Sequence, residues 1–192
     1  MKKPAVFIDR DGTINEQMGY INHVSRFVLL PGTAEGIRLL NRHQYMVIIV
    51  SNQSGVARGY FPIELVDQVH VRMKALLEKE NASVDGIFFC PHHPRGIVAE
   101  YSITCDCRKP RPDLIRKACE RFDIDMANSY VIGDRCMDIE LAHRSGLKGI
   151  LVATGYGPGE IEYVLPFTPF KPTHIGKDLL DAVRWILKDD TS

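Results

Sequence analysis

Four acids and a small set of cations carry most of the chemistry written in this sequence. Asp9-Arg10-Asp11-Gly12-Thr13 follows a short apolar run, and Gly133-Asp134, with Asp138 shortly after, follows another. An isolated Asp-x-Asp is more often a solvated turn, because aspartate and glycine both suit turns. Two acidic clusters at the ends of two buried strands differ from that case, since their carboxylates repel one another unless a cation sits among them. A hard divalent ion with oxygen ligands, Mg²⁺, fits the donor set best. Ser51-Asn52-Gln53-Ser54-Gly55 adds short hydrogen-bonding side chains after a third run, and Arg108-Lys109-Pro110-Arg111 adds positive charge. A metal, a hydroxyl and a lysine converging on one point describe a pocket for a phosphoryl group.

The cysteines suggest a second metal. Cys90-Pro91-His92-His93-Pro94 is separated from Cys105-Asp106-Cys107 by a short loop, with twelve residues between His92 and Cys105. Three thiols and an imidazole in two close pairs match a Cys₃His tetrahedral zinc site, held by Cys90, His92, Cys105 and Cys107. The alternative is a set of reduced thiols on a flexible loop. Four protein ligands would close the zinc and make it structural, and His93 is then expected at the surface or facing substrate. Because Cys107 directly precedes Arg108-Lys109, zinc would fix the cationic pair over the phosphate. Cys119 falls on the apolar face of a helical pattern and is expected in the core; Cys136 reads as a buried thiol.

The elements that must position these groups alternate along the chain. Ala5–Ile8, Val47–Val50, Gly86–Phe89, Tyr130–Ile132 and Ile150–Val152 read as strands covered on both faces, where polar alternation is lost. Helical spacing covers Thr33–Arg42, Pro62–Glu80, Pro112–Phe122 and Cys136–Ser145, the last stopped by Gly146. This order predicts an α/β fold, a Rossmann-like doubly wound, mainly parallel sheet whose ligands bind beyond the carboxyl ends of the strands. Gly155–Pro172, with four prolines and three glycines, is expected to be an ordered loop. A final helix at Lys177–Leu187 is expected to pack Leu180, Val183 and Leu187 inward.

Length and charge bound what the chain can be. Its 192 residues suit one domain, 1–192, with the zinc loop at 90–107. Twenty-four basic and twenty-four acidic residues cancel, which gives no reason to expect a nucleic-acid or membrane coat. Apolar runs such as Met46–Val50 are far shorter than the roughly 20 residues a bilayer requires. Only Ala5–Ile8 follow the basic start before Asp9, too little for a signal core of about 7–15 residues. A cytoplasmic protein is expected, its five cysteines kept reduced in that compartment.

In its four strand-end motifs the sequence resembles the haloacid dehalogenase superfamily of phosphatases: Asp9-Arg10-Asp11-Gly12-Thr13, Ser51, Lys109, and Gly133-Asp134 with Asp138 match in order. The resemblance implies that Asp9 is the nucleophile that becomes an aspartyl phosphate and that Asp11 is the general acid, then base. It implies that Ser51 and Lys109 hold the phosphoryl oxygens, and that Asp134, Asp9 and the backbone carbonyl of Asp11 hold Mg²⁺. Asp138 matches less securely, either orienting Lys109 or a metal-bound water or standing as a helix-surface acid.

Members of the superfamily often carry a cap domain, but the 39 residues between Asp11 and Ser51 and the segment Ser54–Arg108 leave no room for one. The zinc loop, Gly19-Tyr20 and Ser51-Asn-Gln-Ser-Gly-Val-Ala-Arg-Gly resemble the uncapped branch that acts on small phosphorylated sugars such as heptose bisphosphates, in the route to bacterial surface polysaccharide. By that resemblance Gln17, Met18, Gly19, Tyr20, Ser51, Asn52, Gln53, Ser54, Arg108, Lys109 and Arg135 contact substrate, Arg135 standing where many of these enzymes have lysine. Arg58 and Arg111 are either further anion contacts or a solvated face. Histidinol phosphate is the alternative substrate, and a zinc-loop module binding nucleic acid or protein is the alternative from another class. A monomer suffices for such a site.

Overall fold

The apolar runs are strands, and their two-sided burial explains their composition. In the computed structural model, which describes residues 2–189, six strands form one sheet: β1 (Lys3–Ile8), β2 (Met46–Asn52), β3 (Gly86–Cys90), β4 (Ile124–Gly133), β5 (Lys148–Val152) and β6 (His174–Gly176). Their order is β3-β2-β1-β4-β5-β6 and every pairing is parallel. Met1 and residues 190–192, the outer ends of the expected domain, lie outside the described residues.

Side chains alternate between two cores. Val6 and Ile8 of β1 join Ile37 and Leu40 of α1 (Thr33–Arg42), Val69, Met73 and Leu77 of α2 (Ile63–Lys79), and Val183 and Ile186 of α6 (Leu179–Asp189). Ala5 and Phe7 join Leu114, Ile115 and Ala118 of α3 (Asp113–Arg121) and Leu141 and Ala142 of α4 (Cys136–Arg144) on the other face. Val6, Phe7 and Ile8 have no exposed surface. Burial on this scale stabilises by about 1.5–3 kcal/mol per large side chain, and it anchors the strand end that carries the acids.

The chain passes from β1 outward to β2 and β3, then returns to β4 and goes outward to β5 and β6. β1 and β4 are therefore neighbours whose onward connections run in opposite directions, the switch point where α/β sheets bind ligands. Only a short turn at Val24–Arg26, α1 and β2 lie between Asp11 and Ser51, so no cap covers this edge. Among the described residues, no helix is long and apolar enough to cross a membrane.

Three expectations are corrected. The expected loop after Gly155 contains α5 (Gly157–Gly159) and turns at Glu160–Val164 and Leu165–Phe167, and it leads into the unexpected β6, whose three residues at the sheet edge are too few to leave an apolar run. In the last helix Val183 is buried and Leu187 packs against the core as expected, but the buried stripe is completed by Leu179, Ala182 and Ile186 rather than by Leu180, which is partly exposed. Cys119 is exposed because the buried stripe of α3 runs through Leu114, Ile115 and Ala118, one position away. Cys136 is buried as expected.

Candidate active site and metal centres

Asp9 leaves the end of β1 with its N–H donating to the Ile132 carbonyl of β4 at 2.9 Å. Its carboxylate lies 2.8 Å from Lys109 Nζ, which also meets Asp138 Oδ1 at 2.7 Å and donates to the Val50 carbonyl at 3.0 Å. Three acceptors match the three protons of the ammonium. Lys109 is buried, and although burial disfavours its charge, Asp138 and Asp9 raise its pKa further above the usual lysine range. Asn52 clamps the backbone behind it: Lys109 N–H donates to Asn52 Oδ1 at 3.0 Å, and Asn52 Nδ2 donates to Lys109 O at 3.2 Å. β2 thus fixes the lysine that serves the end of β1.

Asp138 is 1% exposed and also accepts from Arg135 N–H at 3.2 Å, closing the first turn of α4. Of the alternatives left open, its position matches orientation of Lys109 and excludes a helix-surface acid.

Arg10 is almost wholly buried and braces the second aspartate. Its Nη2 donates to Asp11 Oδ2 at 2.7 Å and to Gln53 Oε1 at 3.1 Å, and Nη1 lies 3.3 Å from His70 Nε2. Burial, then Arg10, pushes the His70 imidazole down to about 3, so it stays neutral and accepts from the guanidinium. Gln53 Nε2 donates to Asp11 Oδ2 at 2.8 Å and to Ser51 Oγ at 2.6 Å, while Asn15 Nδ2 donates to Asp11 Oδ1 at 3.0 Å. Burial acts to raise the pKa of Asp11, but Arg10, Gln53 and Asn15 together hold it below the ordinary value. In this geometry Asp11 is an ionised base.

Asp134 has no exposed surface. Its Oδ2 accepts from Tyr156 N–H at 2.8 Å, but its Oδ1 has no partner. Burial, then Asp9 and Asp138, pushes this carboxyl up to about 8; burial also pushes Asp9 up to about 6, with Lys109 pulling against it and Asp138 adding to it. A Cβ on Gly12 would lie 2.0 Å from Asp134 Oδ2 and one on Gly155 2.2 Å, and both glycines have positive φ, +87° and +56°. Only glycines let these two turns close on the carboxylate. Oxygens of Asp9, Asp134 and Asp138 lie within 4.8 Å of one another. An orphaned buried oxygen among repelling carboxylates fits a hard divalent cation such as Mg²⁺. The backbone carbonyl of Asp11 accepts from Gln17 Nε2 at 3.4 Å.

The four expected zinc ligands converge. Cys90 and Cys105 Sγ are 3.4 Å apart, Cys105 and Cys107 Sγ 3.3 Å, His92 Nδ1 and Cys107 Sγ 3.2 Å, and Cys90 Sγ and His92 Nδ1 3.7 Å. Tetrahedral zinc with bonds of about 2.0–2.3 Å requires ligand separations in this range. His92, rather than His93, completes the set.

A cavity of about 270 Å³ opens above Asp9, lined by Asp11, Gln17, Gly19, Tyr20, Ser51, Asn52, Ser54, Arg58, Arg108, Lys109, Arg135, Met137 and Tyr156. Met18 and Gln53 do not line it, and Gln53 acts from beneath through Asp11 and Ser51. Arg58 is a wall residue, whereas Arg111 is exposed, pairs with Asp106 at 3.2 Å and does not line the cavity. His93 is neither at the surface nor in the wall; it is buried behind Arg58.

Sequence reasoning missed His70, Tyr156 and Glu160. His70 sits on the buried stripe of α2 beside Val66, Val69 and Met73, a polar residue on an apolar face that could have drawn notice. Tyr156 stands under the Arg135 guanidinium at 5.1 Å; Glu160 accepts from Arg135 Nε at 3.3 Å and from Cys136 N–H at 2.9 Å. Both come from a glycine- and proline-rich stretch with no local pattern.

The chain is similar to known phosphatases in sequence and in fold. A family profile described as HAD-hydrolase-like matches residues 106–182. The D-glycero-D-manno-heptose-1,7-bisphosphate 7-phosphatase of Thermosynechococcus vestitus is 39% identical over 190 residues, 97% of this chain and 96% of the relative. The D-glycero-beta-D-manno-heptose-1,7-bisphosphate 7-phosphatase of Yersinia pestis is 43% identical over 154 residues, 79% of this chain and 81% of its own. The crystal structure of D,D-heptose 1,7-bisphosphate phosphatase from B. bronchiseptica, complexed with magnesium and phosphate, superposes with a TM-score of 0.85 at 30% identity, covering 98% of this chain and 99% of that one.

Proposed function

The chain belongs to the heptose-1,7-bisphosphate 7-phosphatase family of haloacid dehalogenase-like hydrolases, and from that premise we propose that it hydrolyses the 7-phosphate of D-glycero-D-manno-heptose 1,7-bisphosphate. The observation that carries the choice of substrate is the charge of the cavity wall. Asp9 and Asp11 sit at its reactive end, and among the described residues no other acid lines it, whereas Arg58, Arg108 and Arg135 line the remainder. Three guanidinium groups beyond the transfer site suit a second phosphate. The cationic amine of histidinol phosphate would meet only like charge there. A nucleic-acid module has no use for the buried carboxylates, and the balanced net charge does not favour one.

In this reading Asp9 attacks phosphorus, forming the aspartyl O–P bond as the bond from phosphorus to the sugar oxygen breaks. Asp11, ionised in the free site, takes up a proton from solvent as the anionic ester arrives beside it and gives that proton to the departing oxygen. The same carboxylate then takes a proton from water as water attacks the phosphoryl group, releasing phosphate and restoring Asp9. Ser51 and Lys109 hold phosphoryl oxygens throughout. Asp9, Asp134 and the Asp11 carbonyl would hold Mg²⁺, whose charge, when bound, offsets repulsion between the carboxylate and the ester. Cys90, His92, Cys105 and Cys107 would hold zinc as a closed structural centre that stiffens the loop before Arg108-Lys109. One 1–192 domain, acting as a monomer in a reducing cytoplasm, provides every group named.

The test is phosphate release by the purified chain with Mg²⁺, comparing both anomers of the heptose bisphosphate with histidinol phosphate. Asp9→Asn should abolish turnover with the fold intact. Turnover persisting in that variant removes the nucleophile, and a preference for histidinol phosphate removes the substrate.

A further inference from the structure

The zinc loop meets the cavity at a second point, away from Arg108. Ala57 N–H donates to Pro91 O at 3.3 Å, and the N–H groups of Ile97 and Val98 donate to Ala57 O at 2.8 and 3.0 Å. The seam is too close for side chains: a Cβ on Gly96 would lie 2.5 Å from Ala57 O, and one on Gly59 2.9 Å from Ile97. Arg58, within this seam, lines the cavity, and its Nη2 lies 2.9 Å from His93 Nε2.

A guanidinium only donates, so the imidazole must be the acceptor. The other ring nitrogen, Nδ1, faces the Arg95 N–H at 3.1 Å, a second obligate donor. An imidazolium would set two protons against two donors, so the ring is neutral. It carries one proton, and the charge-assisted bond from Arg58 is the stronger claim on its lone pair. Arg58 is not satisfied by this bond, because its Nε is buried without a partner. A buried donor in that state favours the arrival of an acceptor.

Resting on the bisphosphate reading above, we propose that His93 is a positioning residue. It holds the Arg58 guanidinium at the cavity wall to bind the phosphate that is not transferred, and so it ties substrate affinity to the zinc loop through a residue that ligates no metal. Ordering one long side chain in advance corresponds to about a tenfold change in affinity.

The test uses the full zinc-loaded chain. His93→Phe fills the space without an acceptor, and His93→Gln places an amide oxygen in the region of Nε2. His93→Phe should raise KM for the 1,7-bisphosphate about tenfold while leaving kcat within about twofold and the KM for heptose 7-phosphate unchanged. His93→Gln should recover to within about threefold of the parent, zinc per chain should be unchanged in both, and His93→Phe should cost nothing further in an Arg58→Ala background. Equal losses in both variants, equal losses on both substrates, loss of zinc in either variant, or an additive effect with Arg58→Ala would overturn the assignment. A parent enzyme that does not prefer the bisphosphate to the monophosphate would overturn the substrate reading instead, whatever His93 does.

Discussion

Replacing Asp138 by asparagine keeps the shape of the side chain and removes one buried charge, so its consequences can be worked from the contacts. Oδ1 accepts from Lys109 Nζ at 2.7 Å and Oδ2 from Arg135 N–H at 3.2 Å. An amide has one accepting oxygen, so its NH₂ must face one of these donors. Breaking a buried ion pair costs about 3–5 kcal/mol when the remaining charge is stranded. Lys109 is not wholly stranded, since Asp9 at 2.8 Å and the Val50 carbonyl at 3.0 Å remain; the lower end, about 3 kcal/mol, is the better figure. At about 2–4 °C per kcal/mol for a domain of this size, Tm should fall by about 6–12 °C. Asp9, the proposed nucleophile, would then be the one carboxylate left to the ammonium, and kcat should fall about a hundredfold or more. Differential scanning calorimetry and phosphate-release assays on Asp138→Asn measure both. Glu140→Gln is the control: it removes the solvent-exposed pair with Arg144 and should cost about 0.5 kcal/mol or less. If Asp138→Asn melted and turned over like Glu140→Gln, the assignment of Asp138 as the residue that steers Lys109 would be refuted.

Removal of the divalent ion has a pH signature. Asp9 and Asp134 have pKa values of about 6 and about 8, raised above the ordinary value of 3.8, so the folded state retains protons that the unfolded chain has released. Without metal, their contribution is therefore full below about pH 4 and is lost as pH rises toward 8; Tm in EDTA should fall from pH 5 to pH 8.5. Added Mg²⁺ should raise Tm more at pH 8.5 than at pH 5, and equal shifts at the two pH values would contradict the cluster's assignment. Gly12→Ala, which sets a methyl 2.0 Å from Asp134 Oδ2 at φ +87°, should abolish phosphate release and cost about 3 kcal/mol or more in calorimetry; near-parental behaviour would show that the turn relaxes freely. Cys107→Ser should lose zinc by elemental analysis and lower both kcat and affinity, because Arg108 and Lys109 follow directly in the chain. Parental kinetics in a folded, zinc-free variant would remove the coupling between loop and site.

Much of this site was legible in the sequence because its groups sit where strands end. Asp9, Ser51 and Asp134 each follow or close an apolar run, and parallel strands bring their carboxyl ends to one edge whatever lies between. The Cys/His cluster was legible because two close pairs of thiols and an imidazole are spaced as a metal site needs, and Cys90, His92, Cys105 and Cys107 do converge. Asp138 was only half legible: the same sequence position is a surface acid or a buried partner depending on where Lys109 arrives from a distant segment. Cys119 failed because an apolar residue one step from the buried stripe of α3 looks like part of it. β6 and the phase of α6 are set by docking against the sheet edge and α1, not by local spacing. Tyr156 and Glu160 act by contacts across the fold that no local pattern announces, whereas His70 left one faint sign, a polar residue on the apolar stripe of α2.

The parallel sheet with its central β1 divides labour in a way that bears on how such a molecule changes over generations. The acids and the buried lysine are bolted to the ends of β1 and β4, to α4 and to the segment before α3, while much of the cavity wall, from Gln17 to Tyr20 and at Ser54, Arg58, Arg108 and Tyr156, comes from loops outside the sheet. Insertions and exchanges in those loops can retune which ester is accepted without reopening the problem of how to cleave it. The scaffold is a chassis on which specificity is an interchangeable part.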